Sequence, residues 1–170
     1  TREMAQGALL EAERQLRPAA LACRTGPFRY RCGYLNFKLG ELYRELNRTD
    51  LAYEAGRVAL HLVQEIDAWQ LETTVLALLG DIAFFDNHHA LIQIYFPEIA
   101  EREALGPEDC RFTKFMRDRL AMVDVFNLRF DAARQVMTEA GHCGVSASKI
   151  GLFVQVDVAR SGSANEIAAV

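Results

Sequence analysis

The sequence lacks the motifs that mark several large functional classes. It has no GxSxG motif, no GxxxxGK[ST] phosphate loop and no CxxC pair. No apolar run approaches the ~20 residues that a membrane-spanning helix needs, and no charged leader precedes a cleavage site of small residues. We therefore expect a cytoplasmic protein that is not an enzyme and carries no cofactor.

Cysteine is scarce, and the other metal-binding residues are not clustered as a metal site requires. The four cysteines are scattered at Cys23, Cys32, Cys110 and Cys143, and we expect reduced, mostly buried thiols in a chain of this size. Two turns contain histidine, one with Asp86, His88 and His89 and the other with His142 and Cys143. Neither supplies three or four ligands at a usable spacing, so no metal site is expected.

Proline and glycine are also few, four and eleven residues, and most lie where helices would end. Leu, Ala, Glu and Arg dominate between them, and 51% of the residues are hydrophobic, which is enough for a sizeable core. We expect one all-α domain over residues 1–170. Pro18 should kink or divide the first helix near Arg17, and Pro97 should interrupt a later one.

The most informative stretch is 39–59, which spells two helices joined by a tight turn. Large apolar residues recur at helical spacing on both sides of the turn at 47–50. Small residues at Gly40, Ala52 and Ala59 would let the two antiparallel helices approach closely. We predict that these three residues face one another.

This stretch resembles a tetratricopeptide (TPR) repeat. The residues that match the family pattern are Leu39, Gly40, Tyr43, Ala52 and Ala59. Two positions depart from it, because Gly56 stands where a large residue is usual and Gln64 where proline is usual. The resemblance implies a module of stacked helical hairpins that binds other proteins.

Related patterns recur at about 40 residues, against ~34 in the family. They comprise Leu79 and Gly80 in one unit, and Leu120, Ala121, Ala133 and Ala140 in the next. Such self-similarity is typical of stacked hairpins, here a TPR-like right-handed superhelix. The alternative is a compact, irregular helical bundle.

Charge is segregated along the chain, with basic residues dominating 24–48 and acidic residues 50–109. Arg29, Arg31 and Lys38 lie among aromatic residues that include Tyr34. We expect these four residues to bind a protein or peptide partner through its acidic groups. Alternatively the arginines pair with the acidic segment of the chain itself. A net charge of −4 argues against nucleic acid.

The resemblance implies a regulatory scaffold module from a longer, bacterial-type cytoplasmic signalling protein. Such modules often control a linked effector, for example a transcriptional activator or a nucleotide-cyclising enzyme. A second hypothesis is a sensor of a small ligand or peptide, with a pocket lined by Phe84, Phe85, Tyr95 and Phe96. The apolar C-terminal helices predicted at 145–159 and 163–170 also favour a homodimer.

Overall fold

The computed structural model describes residues 2–104 and 110–138, and these residues form seven α-helices and no strand. The helices are α1 (Arg2–Ala22), α2 (Arg29–Glu45), α3 (Thr49–Gln64), α4 (Trp69–Phe85), α5 (His89–Ala104), α6 (Arg111–Phe126) and α7 (Phe130–Thr138). The predicted all-α class is confirmed over this part of the chain. None of these helices combines the length and apolarity that a bilayer span requires.

The chain divides into two compact units, Thr1–Leu91 and Ile92–Val170. The boundary falls inside α5, so that this helix contributes residues to both units. The first unit holds α1 to α4, and the second holds α6 and α7.

The hairpin of α2 and α3 is held together by close backbone contact at glycine. A Cβ built on Gly40 would lie 3.3 Å from the backbone oxygen of Ala52, and Ala52 is fully buried. One built on Gly33 would lie 2.5 Å from Cγ1 of Val63 and 3.6 Å from the backbone oxygen of Ala59. The two helices can approach this closely only because these positions carry little or no side chain.

Ala59 therefore faces Gly33 and not Gly40, which corrects part of the predicted contact. In an antiparallel pair, moving two turns forward along one helix means moving two turns back along the other. Ala52 and Ala59 are two turns apart on α3, and so are Gly40 and Gly33 on α2. Gly33 was not predicted as part of this contact because the repeat pattern does not include it.

Helix α4 packs on both α2 and α3 and is almost entirely buried. Side-chain carbons of Leu78 and Leu79 lie 3.0 Å and 2.7 Å from the points where a Cβ would stand on Gly40 and Gly56. Leu79 thus occupies the space that the large residue expected at position 56 would have filled. The packing of Leu79 thus explains why glycine stands at position 56, where the repeat pattern has a large residue.

Four helices end in the same turn, with a residue in the left-handed region. These residues are Asn47, Asp67, Asn87 and Leu128, with φ of 57°, 51°, 57° and 58°. Asn47, Asn87 and Leu128 each follow by eight positions the Leu39, Leu79 or Leu120 of the repeat pattern. The N–H of the next residue bonds back across the turn, for example from Arg48 to Tyr43 O at 2.8 Å. This is the Schellman motif, and the next helix begins two residues after each left-handed residue.

Pro18 and Pro97 lie within continuous helices, so the predicted interruption of α5 is wrong and α1 is not divided, while the alternative of a kink at Pro18 stays a prediction. Pro18 and Pro97 are exposed, as are Arg14 and Gln93 one turn before them. Water can therefore solvate the carbonyl groups that lose their hydrogen-bond donors.

In the second unit, α6 and α7 pack through small residues and methionine. Ala121, Ala133 and Met137 form a buried cluster, against which Val125, Phe130 and Val136 pack. The start of α6 is capped by Glu103, whose carboxylate accepts hydrogen bonds from the N–H groups of Phe112 at 2.9 Å and Thr113 at 2.7 Å. Ala140 and the predicted C-terminal helices lie outside the described residues.

The cysteines differ from the prediction of four reduced thiols. Cys23 and Cys32 are free, but Cys110 is disulfide-bonded. Cys143 lies outside the described residues. Since disulfides are rare in reducing compartments, this bond gives no support to the expected cytoplasmic location.

Candidate functional site

One side of α2 faces away from the core, and it carries three of the four predicted partner-binding residues. We call this surface the α2 face and define it as Tyr30, Arg31, Tyr34, Lys38 and Glu41. Tyr30 is 56% exposed and Tyr34 is 45% exposed, whereas the opposite side of the helix is buried. Spacings of three and four residues align them along one side of the helix.

The centre of the α2 face is held in place by its own contacts. Lys38 Nζ lies 2.7 Å from Glu41 Oε2, 5.5 Å from the ring centroid of Tyr34 and 5.0 Å from that of Phe37. The Tyr34 and Phe37 rings pack at 6.2 Å. The hydrogen bond to Glu41 raises the pKa of Lys38, so this ammonium group stays charged. Glu41 was missed in the sequence, although its three-residue spacing from Lys38 places it here.

Arg29 does not belong to the α2 face. It begins α2, two residues before Arg31, which places it about 200° around the helix from Arg31 at 3.6 residues per turn. Its guanidinium group bonds Glu65 at 2.9 Å and donates to the backbone oxygen of Arg24, also at 2.9 Å. Its partner is thus an acidic residue at the end of α3. This agrees with the alternative interpretation, in which the arginines pair with the acidic segment of the chain itself.

Arg24 and Arg29 instead line a cavity of about 640 Å³ on the first unit. Its other charged or polar residues are Asp50, Tyr53, Glu54, Arg57, His61 and Glu65, with Val58 and Leu62 between them. Arg24 lies 3.7 Å from Glu54, and His61 lies 3.2 Å from Glu65. The cavity is therefore lined by both signs of charge, where the basic segment meets the acidic one.

The remaining basic residues of α2 and its following turn connect neighbouring helices. Arg44 bonds Asp81 of α4 at 2.8 Å, and Arg48 bonds Glu13 of α1 at 2.7 Å. Asp81 and Glu13 are largely buried, so these charges serve the packing of the first unit. The segregation of charge in the sequence thus becomes a set of ion pairs between helices.

The other candidate residues are the histidines of two turns and the four aromatic residues of the predicted pocket. His88 Nδ1 lies 3.1 Å from Asp86 Oδ2, but no group of three potential metal ligands occurs within residues 2–104 and 110–138. His142 falls outside that part of the chain. Phe84 is buried and Phe85 is 65% exposed in the first unit, while the buried Tyr95 belongs with Phe96 to the second.

No family model, curated protein or solved structure matches this chain. The resemblance to TPR repeats therefore stays a hypothesis that depends on the residues of the hairpins.

Proposed function

We propose that this chain is a non-catalytic protein-interaction module, a TPR-like array of helical hairpins that binds an acidic peptide segment of a partner along the α2 face. The observation that carries the proposal is the row of exposed aromatic and basic side chains on a helix whose other side is core. The proposal extends to the regulatory role expected of such modules in signalling proteins.

The α2 face has the composition of a protein-binding surface. Tyrosine and arginine are enriched among the residues that contribute most to binding at interfaces. Tyr34 is already held against Phe37 and Lys38, so that it loses little conformational freedom when a partner binds. An exposed, ordered tyrosine therefore supports binding without a large entropic cost.

An acidic partner is favoured by Arg31. Its side chain is exposed and makes no hydrogen bond or ion pair within the described part of the chain. Lys38 also presents its charged ammonium group at the surface, although its ion pair with Glu41 weakens its attraction for other anions. A carboxylate of the partner could bond both nitrogens of the Arg31 fork.

The stacked-hairpin arrangement is supported by the way α4 packs on both helices of the hairpin before it, and by the recurrence of the same turn at residues 47, 67, 87 and 128. Each hairpin would then bury one face on the next, as in repeat proteins.

The proposal can be tested by selecting random peptides on the immobilised protein and measuring their affinity by titration calorimetry. We expect the selected peptides to be enriched in Asp and Glu. Arg31→Glu and Tyr34→Ala should each weaken binding about tenfold or more, because residues that contribute strongly to an interface cost at least this much when they are replaced. For Arg31→Glu the loss should shrink in high salt, where exposed charges are screened.

Arg14→Glu is the matched control, since the Arg14 side chain on α1 is 82% exposed and makes only a long contact, 3.5 Å, to Glu11. Equal losses for Arg14→Glu and Arg31→Glu, or a selection without acidic peptides, would count against the α2 face.

A second candidate function is the binding of a small ligand or peptide end in the cavity on the first unit. Its volume lies within the range of ~300 to 1,000 Å³ that is typical of ligand pockets. Because both basic and acidic side chains line it, the cavity suits a zwitterion. The same experiment separates the candidates. Loss of binding in Arg57→Glu, with binding retained in Arg31→Glu, would favour the cavity.

A further inference from the structure

Two free cysteines meet where the end of α1 turns into α2. The Cys32 thiol donates a hydrogen bond to the backbone oxygen of Cys23 at 2.8 Å, and its interaction with the Cys23 thiol helps to raise the pKa of that thiol. The Cys23 thiol itself donates to the backbone oxygen of Ala20 at 3.5 Å. The sequence separates the two cysteines by nine positions, and only the turn at 23–28 brings them together.

The two thiols differ in access. Cys32 is fully buried, and Cys23 is only partly buried, so a small molecule reaches Cys23 first. Burial, with the contact to Cys32 adding to it, raises the pKa of Cys23 from 9.0 to about 11. Cys23 is therefore mainly a thiol at neutral pH, and its small thiolate fraction is the species that reacts with a disulfide.

The surroundings hold this junction in one arrangement. Asn36, which is fully buried, donates to the backbone oxygens of Ala20 at 3.3 Å and Cys32 at 2.8 Å, and it accepts a bond from Arg24 at 3.3 Å. The end of α1 and the start of α2 are therefore fixed to each other independently of the sulfurs. Cys23 and Cys32 are therefore held next to each other while both are reduced.

We infer that Cys23 and Cys32 form a reversible disulfide by exchange with a small-molecule disulfide of the glutathione type. The Cys23 sulfur, as thiolate, attacks one sulfur of oxidised glutathione, forming a mixed disulfide and releasing one glutathione thiolate. The Cys32 sulfur then attacks the Cys23 sulfur of that mixed disulfide and releases the second glutathione. The two protons of the protein thiols end on the two glutathione molecules, which are reduced as the protein is oxidised.

The test is to incubate the whole chain with excess oxidised glutathione, alkylate the remaining thiols, and analyse tryptic peptides by mass spectrometry. Wild type should give peptide 15–24 linked to peptide 32–38, lighter than their sum by two hydrogen atoms. Cys32→Ser should instead keep glutathione on Cys23. Cys23→Ser should leave Cys32 unmodified, because it is buried. The Cys110 peptide, which is expected to resist alkylation throughout, is the internal reference for an oxidised cysteine.

A mixed disulfide on Cys23 of wild type that never resolves would overturn the inference, because it would show that Cys32 cannot reach it. Complete alkylation of both thiols after incubation would do the same. Because a serine hydroxyl at the buried position 32 costs free energy unless it is hydrogen-bonded, Cys32→Ala is made in parallel. Circular dichroism identifies which of the two variants is folded, and that variant is used for the comparison. The linked peptide from wild type alone is sufficient support.

Discussion

Leu128 has a backbone conformation that leucine disfavours. It lies in the left-handed region, with φ of 58°, at the end of α6, where Asn47 and Asn87 occupy the corresponding places after α2 and α4. For most L-residues this conformation costs about 1–2 kcal/mol, and Gly or Asn tolerates it best. The Leu128 side chain is 75% exposed, so it recovers little of that cost by burial.

Leu128→Asn should therefore stabilise the protein by about 0.5–1 kcal/mol, because asparagine removes part of that conformational cost. The reverse change at the equivalent position, Asn87→Leu, is the matched control and should destabilise by a similar amount. Both are measured as the free energy of unfolding in denaturant. A lower stability of Leu128→Asn would mean that the leucine makes contacts worth more than the conformational cost.

At the scale of the element, the hairpin of α2 and α3 depends on the absence of a side chain at position 33. Cγ1 of the fully buried Val63 occupies the space where a Cβ would stand, 2.5 Å from it. Gly7 in α1 is the contrasting case, since a Cβ there would meet nothing within 4 Å. The same substitution at these two glycines should thus have opposite effects.

Gly33→Ala should destabilise the protein by about 1–3 kcal/mol, because overpacking outweighs the better helix propensity of alanine. Gly7→Ala should stabilise it by up to about 1 kcal/mol through propensity alone. The free energy of unfolding of each variant is measured in denaturant melts, and the difference between the two variants isolates the packing effect. Equal shifts of the two variants would show that α2 and α3 are not in close contact at this point.

At the scale of the whole molecule, three groups of the first unit make its stability sensitive to alkaline pH. Burial raises the pKa of Cys23 to about 11 and also raises the pKa of Tyr43 above its usual 10.0, while the bond to Glu41 raises that of Lys38 above 10.5. A folded-state pKa above the unfolded value gives stabilisation that is complete below the unfolded pKa and is lost as the pH rises through the folded one.

The first unit should therefore lose stability as the pH rises from 9 to about 11, the window set by Cys23. The midpoint of denaturant unfolding, measured at successive pH values with Cys23 reduced, checks this. Cys23→Ala should flatten the earliest part of the decline. A midpoint that is constant up to pH 11 in wild type would contradict the burial of these groups.

The sequence by itself determined that the described chain is helical, where α2 turns into α3, and which residues of α2 share one side. These properties depend on residues close together in the chain, since helical spacing places Arg31, Tyr34 and Lys38 on one side. The left-handed turns at Asn47 and Asn87 follow equally from local residue preference. The TPR resemblance also pointed to the close contact at Gly40 and Ala52.

Only the tertiary structure decided which distant residues meet. It placed Ala59 against Gly33, filled the space over Gly56 with Leu79, and joined Arg29 to Glu65. It also left Pro18 on the solvent side, where its missing hydrogen bond costs less than the sequence suggested. The contact of Cys23 with Cys32 is of the same kind. Each of these outcomes depends on how one helix is rotated against another, and no spacing within a single helix encodes that rotation.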